Sequence, residues 1–159
     1  MNRRVTQRLL TAGMIGTLAM GAGLATAHAA GTSLQGAVDF RQSTMTILKW
    51  YLQPMGGMVK GKIPFDAATF SNKATGLAKA ASLDLTEGFP KGSHEDTEAK
   101  PEIWEHWDEF VEKYKALQIE ADKLQKVAAT GDIDAIKAQF GATAKTCKSC
   151  HDDFREKDK

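Results

Sequence analysis

Apolar residues recur along this chain at alternating intervals of three and four, and this spacing constrains the fold more than any other feature. The clearest run keeps the interval through seven steps and comprises Ile103, Trp107, Phe110, Tyr114, Leu117, Ala121, Leu124 and Ala128. A helix completes a turn every 3.6 residues, so these side chains share one face that can be buried. Three further stretches, within residues 38–55, 67–81 and 133–154, show the same spacing. The sequence therefore predicts four amphipathic helices.

The residues at the ends of these stretches are typical of helix boundaries. Pro54 lacks a backbone donor and crowds the carbonyl of Trp50, so we expect the first helix to kink or end there. Asp66 is a predicted N-cap of the second helix, and Pro101 suits the first turn of the third. Gly131 is a predicted C-terminal glycine and Asp132 a predicted N-cap, so Thr130-Gly131-Asp132 favours a tight antiparallel hairpin between the last two helices. The predicted fold is all-α, an antiparallel up-down-up-down four-helix bundle.

The first thirty residues have the pattern of an export leader. Three arginines within residues 3–8 precede an apolar run over residues 9–24 and the small-x-small sequence Ala27-His28-Ala29. These are the parts of a secretory signal peptide. We expect residues 1–29 to be removed, by cleavage after Ala29 or Ala30, and residues 30–159 to form one domain in the periplasm. A membrane anchor is the alternative, but the run is shorter than the roughly 20 residues of a span.

The charge of the mature chain excludes one class of partner. Loss of the three leader arginines from the 21 Lys and Arg leaves 18 against 20 Asp and Glu, a net charge of −2 with His neutral. Binding to nucleic acid usually leaves a basic footprint, which this balance lacks. We therefore expect no nucleic-acid partner.

The two cysteines of the chain, Cys147 and Cys150, are followed at once by His151. Residues three and four apart share a helix face, so the three side chains are expected to point the same way. Cys-x-x-Cys-His is the attachment pattern of haem c. The two thiols can form thioethers to the vinyl groups of one haem while the imidazole binds the iron. The sequence predicts one covalent haem c with His151 as the proximal iron ligand.

Other uses of the two cysteines are disfavoured but stay open. A structural disulfide across one helical turn would close too small a ring to offer much loop entropy. A thiol-disulfide oxidoreductase would place the pair at a helix N-terminus, where the thiol pKa is lowered. A zinc site needs about four ligands, and His94 and His106 supply no second cysteine pair. A haem-free helical interaction module is a further alternative.

The position of the motif adds a resemblance to a known family. A haem motif at the end of the last helix of a four-helix bundle resembles the class II c-type cytochromes, most closely the cytochrome c′ family, over essentially the whole mature chain. The segments that carry it are RQSTM, AKPEIW, GDIDAIKAQFG and CKSCHDDFR. The resemblance implies electron transfer and reversible binding of NO or CO. We expect no enzymatic activity, because no residue placed on the distal side of the haem supplies an acid or a base. Small redox proteins or a quinol-oxidising chain are the implied electron partners, and a homodimer through the first two helices is common in such proteins.

The resemblance also implies cofactor contacts outside the motif. Arg41 matches an arginine that pairs with a haem propionate, and Gln42 matches another cofactor contact. Glu98 lies in the segment that lines the exposed haem edge, and Arg155 corresponds to an arginine near the proximal face. Phe89 matches an aromatic wall of the cofactor site.

Met45 is the residue on which the implied function depends, because the resemblance places it on the distal side of the haem. As an apolar neighbour it would leave the iron five-coordinate and open to gas. As a sixth ligand it would give a low-spin electron shuttle of raised potential. Both readings stay open from the sequence. Trp50 and Tyr51 are candidates for the dimer interface or, alternatively, for capping the end of the bundle.

Overall fold

Five α-helices and one short 3-10 helix build residues 33–157, the part of the chain that the computed structural model describes. The α-helices are α1 (Leu34–Val59), α2 (Ala67–Ala81), α3 (Glu102–Glu105), α4 (Trp107–Ala128) and α5 (Ile133–Phe154), and the 3-10 helix is Leu85–Gly88. Within this range, extended pairing is limited to one bridge between Ala99 and Arg155. None of these helices is long and apolar enough to cross a membrane. The predicted leader lies outside the described residues.

The four long helices pack as a bundle. α4 packs against both α5 and α2, α2 packs against α1, and α1 makes only sparse contact with α5. Each long helix therefore lies beside the long helix that follows it in the chain and runs antiparallel to it. The predicted all-α, up-down-up-down four-helix bundle is confirmed.

The predicted helix caps are also confirmed. Asp66 accepts a hydrogen bond from the N–H of Thr69 at 2.7 Å at the start of α2. Asp132 accepts two backbone N–H groups at the start of α5. Gly131, directly before it, has a φ of +75°, a conformation that glycine adopts without steric cost. This turn sets α5 back against α4.

α1 does not end at Pro54 but continues to Val59. The proline removes one backbone hydrogen bond, at a cost of about 3 kcal/mol. Met55 and Met58 are buried beyond it. Burial of a Met side chain contributes about 1.5–3 kcal/mol, so the two together offset the loss.

The third predicted helix is divided at His106, and the prediction of an unbroken helix there is wrong. His106 has a φ of −120° and a ψ of 46°, which are not helical. Its N–H donates to the carbonyl of Glu102 at 2.8 Å, while its own carbonyl accepts from Phe110 at 3.0 Å. The Trp104 indole N–H donates to the carbonyl of Phe89 at 2.9 Å, which ties α3 to the preceding loop. The three- and four-residue spacing of the apolar side chains continues across this single non-helical residue. The spacing therefore did not reveal the break in the helix.

The core lies between the four long helices. It is closed at one end by the closing segment, residues 82–106, which joins α2 to α4. Its largest fully buried side chains are Phe70, Met55, Leu77, Leu85, Ile103, Leu124, Ile136, Thr44 and Thr143. The hydroxyl of Tyr114 lies 2.9 Å from the carbonyl oxygen of Ala81 and 3.0 Å from that of Leu83. This contact joins α4 to the end of α2 and the start of the closing segment.

Candidate haem-attachment site

The predicted haem motif occupies the last two turns of α5, which ends at Phe154. Cys147 and Cys150 are free thiols, half-buried and packed against the core. His151 is exposed. Because the helix is continuous here, the intervals of three and four place the three residues on one side of α5. The structure thus brings together the residues that the motif predicted.

The surroundings of the two cysteines favour the protonated thiol. Burial raises the pKa of Cys147. Burial also raises the pKa of Cys150 to about 11, although the positive charge of Lys113 acts in the opposite direction. Disulfide exchange requires a thiolate at working pH. A thiol-disulfide oxidoreductase is therefore disfavoured, since such enzymes lower the pKa of their reactive cysteine.

The surroundings of His151 favour the neutral form of its imidazole. Although the residue as a whole is exposed, neighbouring protein atoms desolvate the ring, and this lowers the pKa of His151. The positive charge of Arg155 acts in the same direction. A neutral imidazole has the lone pair that binds iron. Across residues 33–157 no group of three or more His, Cys, Asp or Glu could hold a bare metal ion, so the zinc alternative finds no support.

The border between α1 and α5 is the least closely packed border between neighbouring helices of the bundle. Half-buried apolar side chains from both helices reach the core, among them Met45 and Leu52 from α1 and Ala144 from α5. A largely apolar ligand requires such a lining. Together with two thiols for attachment and a neutral imidazole for iron, these residues fit haem c.

Arg41 is buried and binds the segment that follows the 3-10 helix. Its Nη1 donates to the carbonyl of Gly88 at 2.8 Å and to Oγ of Ser93 at 2.7 Å. Its Nη2 donates to the carbonyl of Ser93 and, at 3.1 Å, to Oγ1 of Thr97. The guanidinium carbon lies 4.6 Å from the centre of the Phe89 ring. Burial lowers the pKa of Arg41, but an arginine stays protonated in proteins. Its pairing with a propionate stays a prediction, and the loop contacts are an additional role.

Phe89 is buried in an aromatic cluster beside Arg41. Its ring centre lies 4.7 Å from that of Phe110 and 6.2 Å from that of Trp104. Phe110 in turn lies 5.5 Å from Phe154, the last residue of α5. The aromatic cluster therefore reaches the end of the helix that carries the motif, and the contact of Phe89 with the cofactor stays a prediction.

Glu98 and Arg155 are brought together, although the sequence predicted separate roles for them. Nε of Arg155 donates to Oε2 of Glu98 at 2.6 Å. This ion pair ties the closing segment to the residue that follows α5. Gln42 is exposed and borders a surface depression with Asp39 and Ser43. Its predicted cofactor contact stays a prediction.

Lys113 is a site residue that the sequence reasoning missed. Its ammonium lies 2.7 Å from Oδ2 of Asp153 and 3.5 Å from Oε1 of Glu109. It also donates to Oγ of Ser149 at 3.0 Å. The hydrogen bond to Asp153 is the main cause that raises the pKa of Lys113. Lys113 thus joins α4 to the haem motif on α5, and no spacing rule within one helix could have revealed this contact.

Known proteins resemble the chain over the whole of this bundle. The family model described as Cytochrome C′ matches residues 36–155. Cytochrome c′ of Halomonas halodenitrificans is 36% identical over 126 residues, which cover 75% of this chain and 95% of that protein. The solved structure of cytochrome c prime from Shewanella frigidimarina has a TM-score of 0.75 and 38% identity, covering 78% of this chain and 97% of that one. A nitric oxide complex of a mutant of cytochrome c prime from Alcaligenes xylosoxidans has a TM-score of 0.71 and 35% identity, covering 79% and 97%.

Proposed function

This chain belongs to the cytochrome c′ family, which binds haem c covalently, and on that premise we propose that it carries single electrons and reversibly binds NO or CO at a five-coordinate iron. The observation that supports the proposal most directly is the placement of Cys147 and Cys150, both half-buried, on the same side of α5 as His151. Two cysteines in the whole chain suffice for one haem.

Bound haem c supplies an iron atom that changes oxidation state and binds diatomic gases. In this proposal the two thiols would anchor the cofactor, His151 would bind its iron, and the apolar side chains that include Met45 would exclude water from the gas-binding site. No buried or half-buried residue of α1 is an acid or a histidine. Since α1 then offers no group for proton transfer there, we propose a binding and electron-carrying role and not an enzymatic one.

Two further parts of the proposal concern ligands and location. The nitric oxide complex solved for the relative from Alcaligenes xylosoxidans supports NO as a ligand. The predicted leader, residues 1–29, supports a periplasmic location. Small redox proteins or a quinol-oxidising chain are the proposed electron partners.

We also propose that the protein forms a homodimer through α1 and α2. Trp50 is 67% exposed and Ile47 is 43% exposed on the outer face of α1. From α2, Nζ of Lys73 lies 5.1 Å from the centre of the Trp50 ring. Exposed apolar side chains of this size on neighbouring positions are typical of a protein interface.

A second candidate function follows from the position of Met45. This side chain lies on α1, is half-buried and packs against the core. Methionine is unbranched and flexible, so a rotation could bring its sulfur to the iron as a sixth ligand. The protein would then be a low-spin electron shuttle that binds gas weakly.

The test is a set of optical spectra of protein matured with haem, recorded in the ferric and ferrous states with and without CO. We expect immediate CO binding and no weak far-red ferric band, because that band arises from a methionine-to-iron bond. A far-red ferric band together with weak binding of CO would instead favour the electron shuttle. The intact mass should rise by about 600 Da and neither cysteine should react with an alkylating agent. Colourless protein with two reactive cysteines would overturn the haem assignment, and the double variant Cys147→Ala, Cys150→Ala is the control.

A further inference from the structure

One lysine from the closing segment binds the C-terminal end of α5. The Nζ of Lys100 donates to the carbonyl oxygens of Asp152 and Asp153, each at 3.1 Å. The backbone N–H of Lys100 donates to the carbonyl of Phe154, also at 3.1 Å. A helix leaves its last four carbonyls without partners inside the helix. In α5, Lys100 alone provides partners for three of the four.

The fourth of these carbonyls belongs to His151. It accepts a hydrogen bond from the N–H of Arg155 at 3.1 Å. Beyond it, the N–H of Glu156 donates to the carbonyl of Glu98 at 2.8 Å, so the chain after α5 is bonded to the same segment that carries Lys100. The turn that begins with His151 therefore has a partner for every one of its carbonyls.

The charge of Lys100 acts on the backbone of α5. The carboxylates nearby already have partners, since Asp152 pairs with Lys148 and Asp153 pairs with Lys113. An ammonium group beside the last carbonyls also complements the negative end of the helix dipole. Hydrogen bonds from a charged donor are stronger than those from a neutral one. The ammonium therefore restricts the backbone of the last turn of α5 more than a neutral side chain would.

We propose that Lys100 is a positioning residue for the iron ligand His151. By holding the last carbonyls of α5, it prevents the terminal turn from fraying and so fixes the direction in which the imidazole is presented to iron. The inference rests on the proposed function, because it concerns the ring as an iron ligand. Lys100 acts through α5 and need not touch the cofactor.

The test compares three variants of the haem-loaded protein. Lys100→Met keeps the backbone N–H and an unbranched side chain of similar reach but removes the ammonium. Lys100→Arg returns charged donors near the same carbonyls. Lys137→Met makes the same charge change at an exposed position on the first half of α5 and is the matched control.

Resonance Raman spectra of the ferrous protein report the iron–histidine stretching band directly. We expect this band to shift and broaden in Lys100→Met, to keep its wild-type position in Lys137→Met and to return towards it in Lys100→Arg. Hydrogen exchange at the amides of residues 152–155 should become about tenfold faster in Lys100→Met, because loss of bonds from a charged donor opens the turn more often.

The outcomes separate the inference from the proposed function. Haem-loaded Lys100→Met with the wild-type iron–histidine band would overturn the inference alone. A shift of the iron–histidine band in Lys137→Met as large as that in Lys100→Met would also overturn the inference. Wild-type protein that matured without covalent haem would overturn both, and the exchange measurement on that protein would still show whether Lys100 holds the turn.

Discussion

Nη1 of Arg41 lies 2.7 Å from Oγ of Ser93, and this contact joins the first turns of α1 to the segment that closes the end of the bundle. Both residues are buried, with Arg41 4% and Ser93 3% exposed. A charged group at such a position is tolerated because its donors are bonded. The contact explains how a polar loop of the sequence is held in one conformation.

Arg41→Leu should lower the free energy of unfolding by about 3 kcal/mol, because the carbonyls of Gly88 and Ser93 lose their donor in a buried site. Urea denaturation followed by circular dichroism measures this free energy of unfolding. Lys49→Leu, an exposed position on the same helix, is the control and should change the free energy by less than about 0.5 kcal/mol. Equal losses in both variants would contradict the anchoring role of Arg41.

Met45→Leu should leave the affinity for CO and the ferric spectrum essentially unchanged if the iron is five-coordinate. If Met45 is instead the sixth ligand, a bond worth about 3 kcal/mol is lost and the affinity should rise about a hundredfold. CO titration of the ferrous protein decides between the two. Met58→Leu makes the same change at a buried position near the other end of α1 and should have no effect on CO binding.

Gly76→Ala should destabilise the protein by about 1–3 kcal/mol through overpacking. A Cβ at Gly76 would lie 2.2 Å from Cε1 of Tyr51, a separation that forces the ring or the helices apart. Gly141→Ala is the matched control in α5, where a Cβ would meet nothing within 4 Å. That variant should gain about 0.5–1 kcal/mol, since alanine favours a helix more than glycine does. Thermal unfolding of both variants tests the contrast, and a stabilised Gly76→Ala would contradict it.

The pH dependence of stability should carry a contribution from Tyr114. Burial, with a smaller effect of the negative charge of Asp84, raises the pKa of Tyr114 to about 12. A folded-state pKa above the unfolded value of about 10 stabilises the neutral phenol, so this contribution is complete below pH 10 and is lost as the pH rises towards 12. Wild type should lose about 2 kcal/mol more than Tyr114→Phe over this interval. Tyr51→Phe is the control, and denaturant titrations at each pH provide the measurement.

Trp50→Glu should convert the proposed dimer into a monomer. The substitution places a charge on the exposed face of α1 without touching the core, so the helical circular dichroism should be kept. Sedimentation velocity at several concentrations measures the change. Ile119→Glu, at a 55% exposed position on α4, should leave the association state as it is. A wild-type protein that stays monomeric throughout would refute the dimer.

The sequence predicted the fold well where local rules decide the structure. The cap of Asp66 and the turn at Gly131 each depend on a few neighbouring residues, and both are where the sequence placed them. The break at His106 was missed, and α1 continues past Pro54, where the sequence predicted a kink or an end, because each outcome depends on distant packing. Burial of Met55 and Met58 carries α1 past the proline, and the bond between Trp104 and the loop accompanies the break at His106.

The haem motif could be predicted because its chemistry lies within consecutive residues of one helix. The residues that bind the helix around the motif could not be predicted, since they come from other elements of the fold. Lys113 reaches it from α4 and Lys100 from the segment before α3, at separations along the chain that no periodicity encodes. The predicted partner of Arg41 is a group of the cofactor, whereas the partners in the structure are loop atoms that only the folded chain brings near.

The short turn at residues 129–132 has a consequence for the order in which the protein folds. It joins α4 and α5, the most extensively packed pair of helices, so their association closes a small loop and loses little chain entropy. We expect this hairpin to assemble before α1 docks, which pulse-labelled hydrogen exchange would show as early protection of α4 and α5. The cysteines lie near the open end of that hairpin, so a folding chain would present them on an ordered surface before α1 docks.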